Sequence, residues 1–173
     1  RRRRRPQAGG LEEELRRVIP VIEGLARATT LPISIDTSKP EVMRAAVAAG
    51  AGMINDVYAL RREGALDAAA SLGVPVVLMH MLGEPRSMQQ SPQYDDVVAD
   101  VHRFLAERIF SAEMAGIAKS KIVVDPGFGF GKNREHNLAL LAQLDRFGEL
   151  GVPLLAGLSR KKTIGELTGR DDP

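Results

Sequence analysis

Ile122-Val-Val-Asp-Pro-Gly-Phe-Gly-Phe-Gly-Lys132 is a β-branched run that ends on a carboxylate and breaks at once into a Pro-Gly turn with alternating glycines. Its apolar part does not alternate with polar residues, so Ile122 to Val124 are expected to form a strand buried on both faces. Asp125 then stands at the strand's carboxyl end, where parallel α/β folds hold their ligands. Gly127, Gly129 and Gly131 let the backbone turn tightly or approach a ligand closely. An isolated Asp-Pro-Gly reads equally as a helix cap or a plain turn. Two phosphate-binding motifs do not fit. A P-loop requires Gly where Pro126 stands and Ser or Thr after Lys132, where the chain has Asn133. No Gly-x-Gly-x-x-Gly register fits 127–134 either.

Outward from this stretch, helix and strand alternate. A helical apolar period runs from Leu11 to Thr30, with Glu12 to Glu14 in its first turn and Pro20 expected to kink or interrupt it. Leu31 to Thr37 is a short strand tipped by Asp36, and Ser38 is the expected N-cap of an Ala-rich helix with Pro40 in its first turn. A second strand, Met53 to Val57, ends on Asn55 and Asp56, and a helix from about Arg62 stops at Gly73. Val74 to His80 is a strongly apolar third strand. A polar loop over 81–92 leads to a helix from about Gln93 to Gly116, then the 122–126 strand, a helix over about 134–150, a fifth strand over 152–159 and a last helix ending near Gly169. Repeated βα units of this kind make a parallel sheet through right-handed crossovers. With polar strand tips and no glycine-rich first turn, the expected fold is α/β, an incomplete (β/α)8 barrel of about five parallel units. A whole barrel takes about 250 residues.

Composition narrows the class. The chain of 173 residues is 44% hydrophobic and 27% charged, enough for one soluble domain with its own core. Without cysteine there is no disulfide, thiol nucleophile or thiolate metal site, which suits a cytoplasmic location. No apolar run reaches the roughly 18 residues of a membrane span. The pI of 9.2 invites a nucleic-acid reading, but Arg1 to Arg5 account for it. Without those five, 19 basic residues face 22 acidic ones, a net charge of −3. A basic arm on nucleic acid or membrane is one reading of residues 1–10. We expect instead a disordered tail, a cloning, reading-frame or truncation scar foreign to a domain over 11–173, with neither nucleic acid nor membrane as partner.

The strand ends gather Asp36, Asn55, Asp125, Ser159 and Lys161, with Met79 and Phe130 as apolar neighbours. Two carboxylates and a carboxamide in an apolar mouth suit a ligand with several N–H donors and a carbonyl, such as the guanidine-like edge of a heterocycle. Lysine serves the carbonyl or a developing negative charge. Paired carboxylates for glycoside hydrolysis are the competing reading; the neighbouring Asn and the crowding apolar groups speak against it. Asp56 reads as structural, and neither His80 nor His136 has metal-ligand spacing.

These segments resemble dihydropteroate synthase, the pterin-binding enzyme of folate biosynthesis and target of sulfonamides. The matching pieces are Ile33-Ser-Ile-Asp-Thr-Ser-Lys-Pro40, Ile54-Asn-Asp-Val57, Val77-Leu-Met-His-Met81, Val123-Val-Asp-Pro-Gly-Phe-Gly-Phe-Gly-Lys132 and Gly157-Leu-Ser-Arg-Lys161. The resemblance implies a transferase that condenses (7,8-dihydropterin-6-yl)methyl diphosphate with 4-aminobenzoate, releasing diphosphate with Mg2+ on the leaving group. It implies pterin contacts from Asp36, Asn55, Asp125, Lys161 and Met79, with Asp125 and Lys161 closest to the chemistry. Ser159, Phe130 and Pro126 match positions that enclose 4-aminobenzoate and sulfonamides. The family is homodimeric.

Three family features have no counterpart here: the Asn-Val-Thr-Pro-Asp-Ser-Phe strand whose Asn ligates Mg2+, the Gly-Glu-Ser-Thr-Arg-Pro-Gly loop, and the last strand with its Arg-x-His anion site. The expectation is thus the central part of the barrel, lacking the first two strands and the last, with no metal ligand of its own and weak or no activity alone. Two alternatives share the pterin floor: a methyltetrahydrofolate–corrinoid methyltransferase domain, and a non-catalytic pterin-binding remnant.

Overall fold

Short β-branched runs and Ala-rich amphipathic stretches alternate, and each becomes a strand or helix of a single parallel arc. The computed structural model describes residues 10–83 and 92–170. In chain order the elements are α1 (Leu11–Ala28), β1 (Ser34–Asp36), α2 (Pro40–Ala48), β2 (Met53–Asp56), α3 (Ala65–Leu72), β3 (Val76–Met79), α4 (Val97–Met114), β4 (Ile122–Asp125), α5 (Arg134–Ala142) and α6 (Lys162–Thr168). The sheet order is β1-β2-β3-β4 and every pairing is parallel. Spatial order follows chain order without the reversal that defines a doubly wound sheet, which is the arrangement of a barrel wall.

Register sorts the side chains by face. Ile35 pairs with Ile54, Ile54 with Val76, Val76 with Ile122, and Leu78 with Val124. These residues point to the helix side and join one core with Val42, Met43, Ala46, Leu105, Ile109 and Phe147. A side-chain period of two sends the intervening residues to the opposite, concave face. There Val123 is only half-buried, so the apolar run Ile122–Val124 is fully buried on its helix side alone rather than on both faces.

Several boundaries differ from the sequence reading. Pro20 does not interrupt α1, which is helical throughout 11–28. Lys39, not Ser38, is the N-cap of α2, because the Ser38 hydroxyl donates instead to Asp56. α3 begins at Ala65, three residues late, since Asp56 organises the preceding residues into a turn. α4 starts at Val97, where the Asp96 carboxylate caps it by accepting from the N–H groups of Val98 and Ala99, 3.0 Å each. The helix expected over 134–150 divides into α5 and a 3-10 segment, Leu144–Leu150, which turns to seat Phe147 in the core. The fifth strand is reduced to one parallel bridge between Val124 and Leu154. Pro153 has no N–H to extend that ladder, although its carbonyl accepts from Val124 N at 3.0 Å. Residues 1–9 of the expected tail lie outside the described residues.

Gly24 is interior to α1, and a Cβ built there meets nothing within 4 Å. Gly24→Ala is expected to stabilise the chain by about 0.5–1 kcal/mol by restricting the unfolded backbone. A urea midpoint at or below that of the unmutated chain would contradict this.

Candidate functional site

Asp36, Asn55, Met79 and Asp125 all sit on the concave face of the sheet at the carboxyl ends of their strands. Asp36 is directly opposite Asn55 in the β1–β2 register, and Met79 opposite Asp125 in β3–β4. Asn55 hydrogen-bonds the Asp36 carboxylate through its side chain. The Asn55 Oδ1 atom, in contrast, is buried with no partner among the described residues. An orphan acceptor of this kind costs stability unless a donor arrives.

Asp56, one residue on, faces the other way and is fully buried. It accepts from the Ser38 hydroxyl and from the N–H groups of Tyr58 and Leu60, both 2.9 Å. Those bonds hold Ala59 and Leu60 at φ of 52° and 58°, left-handed values that such residues seldom adopt. Arg108 secures the same turn by donating from Nε to the Ala59 carbonyl at 2.9 Å. Asp56 is therefore the structural carboxylate of the pair, as its sequence context led one to expect.

Both site aspartates titrate above the ordinary carboxylate range. At Asp125, 7% exposed, burial is the chief cause, opposed by the Gly127 N–H and the charges of Lys161 and Lys132. Asp125 Oδ1 accepts from Gly127 N at 2.7 Å. At Asp36 burial again dominates, reinforced by the charge of Asp56 and opposed by Asn55. Asp36 nonetheless keeps an exposed edge, so solvent screens its shift in a way it cannot at Asp125.

The turn after β4 supplies the other wall. Gly127, Gly129 and Gly131 all have positive φ, and at Gly127 a Cβ would lie 1.9 Å from the His80 carbonyl oxygen. That contact is why this position must be glycine. Phe130 joins Met79, Met81, Val57 and Tyr58 in a small apolar cluster separate from the main core. Lys161 Nζ lies 4.3 Å from the centre of the Phe130 ring. Pro126 is buried and Ser159 is exposed, just before the turn that leads into α6. Lys161 itself is the N-cap of α6.

Lys132 closes the family-matching run, but the sequence reading gave its side chain no role. It is 2% exposed, and its amine lies 3.0 Å from the carbonyl oxygens of Gly127 and Phe130 and 2.9 Å from His80 Nδ1. A lysine closing an apolar, glycine-rich run was the available signal. Glu14 was also missed: from α1 it accepts from Thr37 Oγ1 and pairs with Lys39, bracing the loop after β1. Lys39 is thus half-buried in an ion pair. A cavity of about 800 Å³ is lined by His80, Tyr94, Phe104 and His136 among others and contains none of Asp36, Asn55 or Asp125. The row of strand ends, which carries the unpartnered Asn55 Oδ1, is the better candidate site.

The family described as pterin binding enzyme matches residues 3–173. The dihydropteroate synthase of Escherichia coli strain K12 is 55% identical over 157 residues, covering 91% of this chain and 56% of its own length. A crystal structure of dihydropteroate synthase from Stenotrophomonas maltophilia with imidazole in its active site superimposes with a TM-score of 0.92 at 72% identity, covering 94% of this chain and 62% of that one. The Xanthomonas albilineans enzyme in complex with 7,8-dihydropteroate gives a TM-score of 0.89 at 68% identity, covering 95% and 60%. The chain thus spans a little over half the length of the relatives it matches.

Proposed function

The chain belongs to the pterin-binding enzyme family, and from that premise we propose that it acts in folate biosynthesis as a dihydropteroate synthase. The reaction joins the methylene carbon of (7,8-dihydropterin-6-yl)methyl diphosphate to the amine of 4-aminobenzoate. The C–O bond to diphosphate breaks, the C–N bond forms, and the amine loses a proton. The observation that carries the reading is the unpartnered Asn55 Oδ1, beside Asp36 on the face that also bears Asp125. A pterin presents an amino group and ring N–H donors along one edge, which is what such a row of acceptors lacks.

Positive charge develops on the methylene and the ring as diphosphate leaves, and preorganised carboxylates beside the ring stabilise it. Asp36 and Asp125 fill that role, Met79 packs on the flat ring, and Lys161 meets the carbonyl side. Phe130, Pro126 and Ser159 enclose 4-aminobenzoate, the position a sulfonamide would occupy. The attacking amine is already nucleophilic, so positioning rather than a strong base is what the site must provide. The relative's complex with 7,8-dihydropteroate, a molecule containing both joined halves, supports this substrate pair.

Mg2+ and a homodimer are family properties. Among the described residues no group of three or more His, Cys, Asp or Glu side chains is placed to hold a metal ion. No step is assigned to the ion. Among the same residues no helix is long and apolar enough to cross a membrane.

Calorimetric titration with a pterin analogue tests the proposal, with saturable one-to-one binding expected. A chain that is folded by circular dichroism yet takes up no pterin would sink it. Diphosphate release on mixing both substrates, against methyl transfer to cob(I)alamin, separates the synthase from the corrinoid methyltransferase alternative.

A further inference from the structure

Burying a lysine amine is costly, and Lys132 is 2% exposed. Its three close partners come from two different strand ends. Gly127 O and Phe130 O, each at 3.0 Å, belong to the turn after β4, while His80 Nδ1, at 2.9 Å, follows β3. An ammonium has three N–H donors, and these three acceptors use them all. A neutral amine is also satisfied, since it donates to the two carbonyls and accepts from His80 Nδ1–H in the other imidazole tautomer. The contact therefore survives either protonation state.

We infer that Lys132 is a positioning residue, an amine clamp that ties the glycine turn after β4 to the end of β3 and so fixes Asp125, Met79 and Phe130 relative to one another. This rests on the pterin-site reading only in what the clamp serves. The groups facing the amine are Asp125, whose charge favours the ammonium, and Lys161, whose charge opposes it. His80 is held neutral by burial, well below its usual range, and His136 feels the Lys132 charge from the α5 side. Burial, the dominant influence, lowers Lys132 to about 7.

The sign of the pH dependence follows from linkage. A released lysine returns to a pKa of about 10.4, so between about pH 7 and about pH 10 the released state binds more protons than the clamped one. Raising the pH across that window favours the clamp, by up to about tenfold per unit.

Amide exchange at Gly127, Gly129 and Phe130, corrected for intrinsic rate, reads the clamp directly, because their N–H groups bond within the turn or to Asn137. Exchange would be followed from about pH 6 to about pH 9.5 in the unmutated chain and in Lys132→Met, beside calorimetric binding of a pterin analogue. In the unmutated chain, protection of these amides is expected to rise with pH above about 7. Lys132→Met is expected to abolish that slope, to lower the protection at least about tenfold and to weaken pterin binding at least about tenfold, because two buried carbonyls lose their donor. Amides of β4 itself should keep their protection. A flat profile in the unmutated chain overturns the inference, and so does a Met variant that matches it in protection or in affinity. Should Lys132→Met fail to fold, the slope in the unmutated chain decides alone. Should the unmutated chain bind no pterin, the proposed function fails, and the exchange slope still decides the clamp.

Discussion

Gly127→Ala is expected to lower the unfolding free energy by about 2–5 kcal/mol, combining left-handed strain of about 1–2 with overpacking of about 1–3. Set against a total stability of about 5–15 kcal/mol, that is a large loss. Gly127 has φ of 72°, and its added Cβ would stand 1.9 Å from the His80 carbonyl oxygen and 3.1 Å from the carbonyl carbon. Neither atom is the free end of a side chain. The backbone at His80 is fixed from the other side as well, since His80 N donates to the Asp125 carbonyl at 2.9 Å. The turn must therefore move as a unit and carry Asp125 and Phe130 with it. Gly52→Ala is the control: its Cβ meets nothing within 4 Å and its φ is ordinary, so it should shift stability by no more than about 0.5 kcal/mol. Urea denaturation of both variants checks the pair. Equal midpoints would mean that the turn does not pack against His80 in solution.

Asp125→Asn is expected to fold as well as the unmutated chain and to bind a pterin analogue about 100-fold more weakly, equivalent to about 3 kcal/mol. The asparagine keeps an oxygen for the Gly127 N–H but replaces the second acceptor with a donor, which faces the ligand's own N–H groups. Stability should not suffer from the lost charge. Because burial raises the Asp125 pKa, the folded state holds the proton more tightly than the unfolded chain. The fold then loses stability as pH rises through that window, so an ionised Asp125 is a cost that asparagine removes. Ligand binding has the opposite sign. A pterin needs the ionised carboxylate, so affinity should fall as pH drops through the raised pKa, beginning above the usual carboxylate value of about 3.9. Asp125→Asn should flatten that part of the profile and leave the part due to Asp36. Unchanged affinity in the variant would remove Asp125 from the binding site.

Local chemistry explains what could be read without coordinates. Buried parallel strands are apolar runs tipped by polar residues, and glycine or capping residues mark the ends of α3, α4 and α6, so the alternating α/β order was visible. Asp36, Asn55 and Asp125 were recognisable because strand ends are fixed by these short runs. The same locality misled where a side chain found a distant partner. Ser38 left the α2 cap for Asp56, across a sequence separation of 18 residues. The helix after β4 divided because Phe147 had a core position to fill. In 152–159 the missing N–H of Pro153 was visible, but the geometry beside Val124 that leaves a single bridge was not.

By itself, then, the sequence determined the class of the fold and the residue types at its mouth, since both depend on period, β-branching and turn chemistry within a few residues. Only the tertiary structure decided which side each residue faces and what it touches. Strand register separated Asn55, on the concave face, from Asp56, buried beneath it, and it brought Asp36 opposite Asn55 and Met79 opposite Asp125. It also placed the Lys132 amine against His80, 52 residues away in the chain. Hydrogen bonds are set by distance in space, and a buried amine or an orphan carboxamide oxygen acquires its meaning only when the strands that carry its partners are packed side by side.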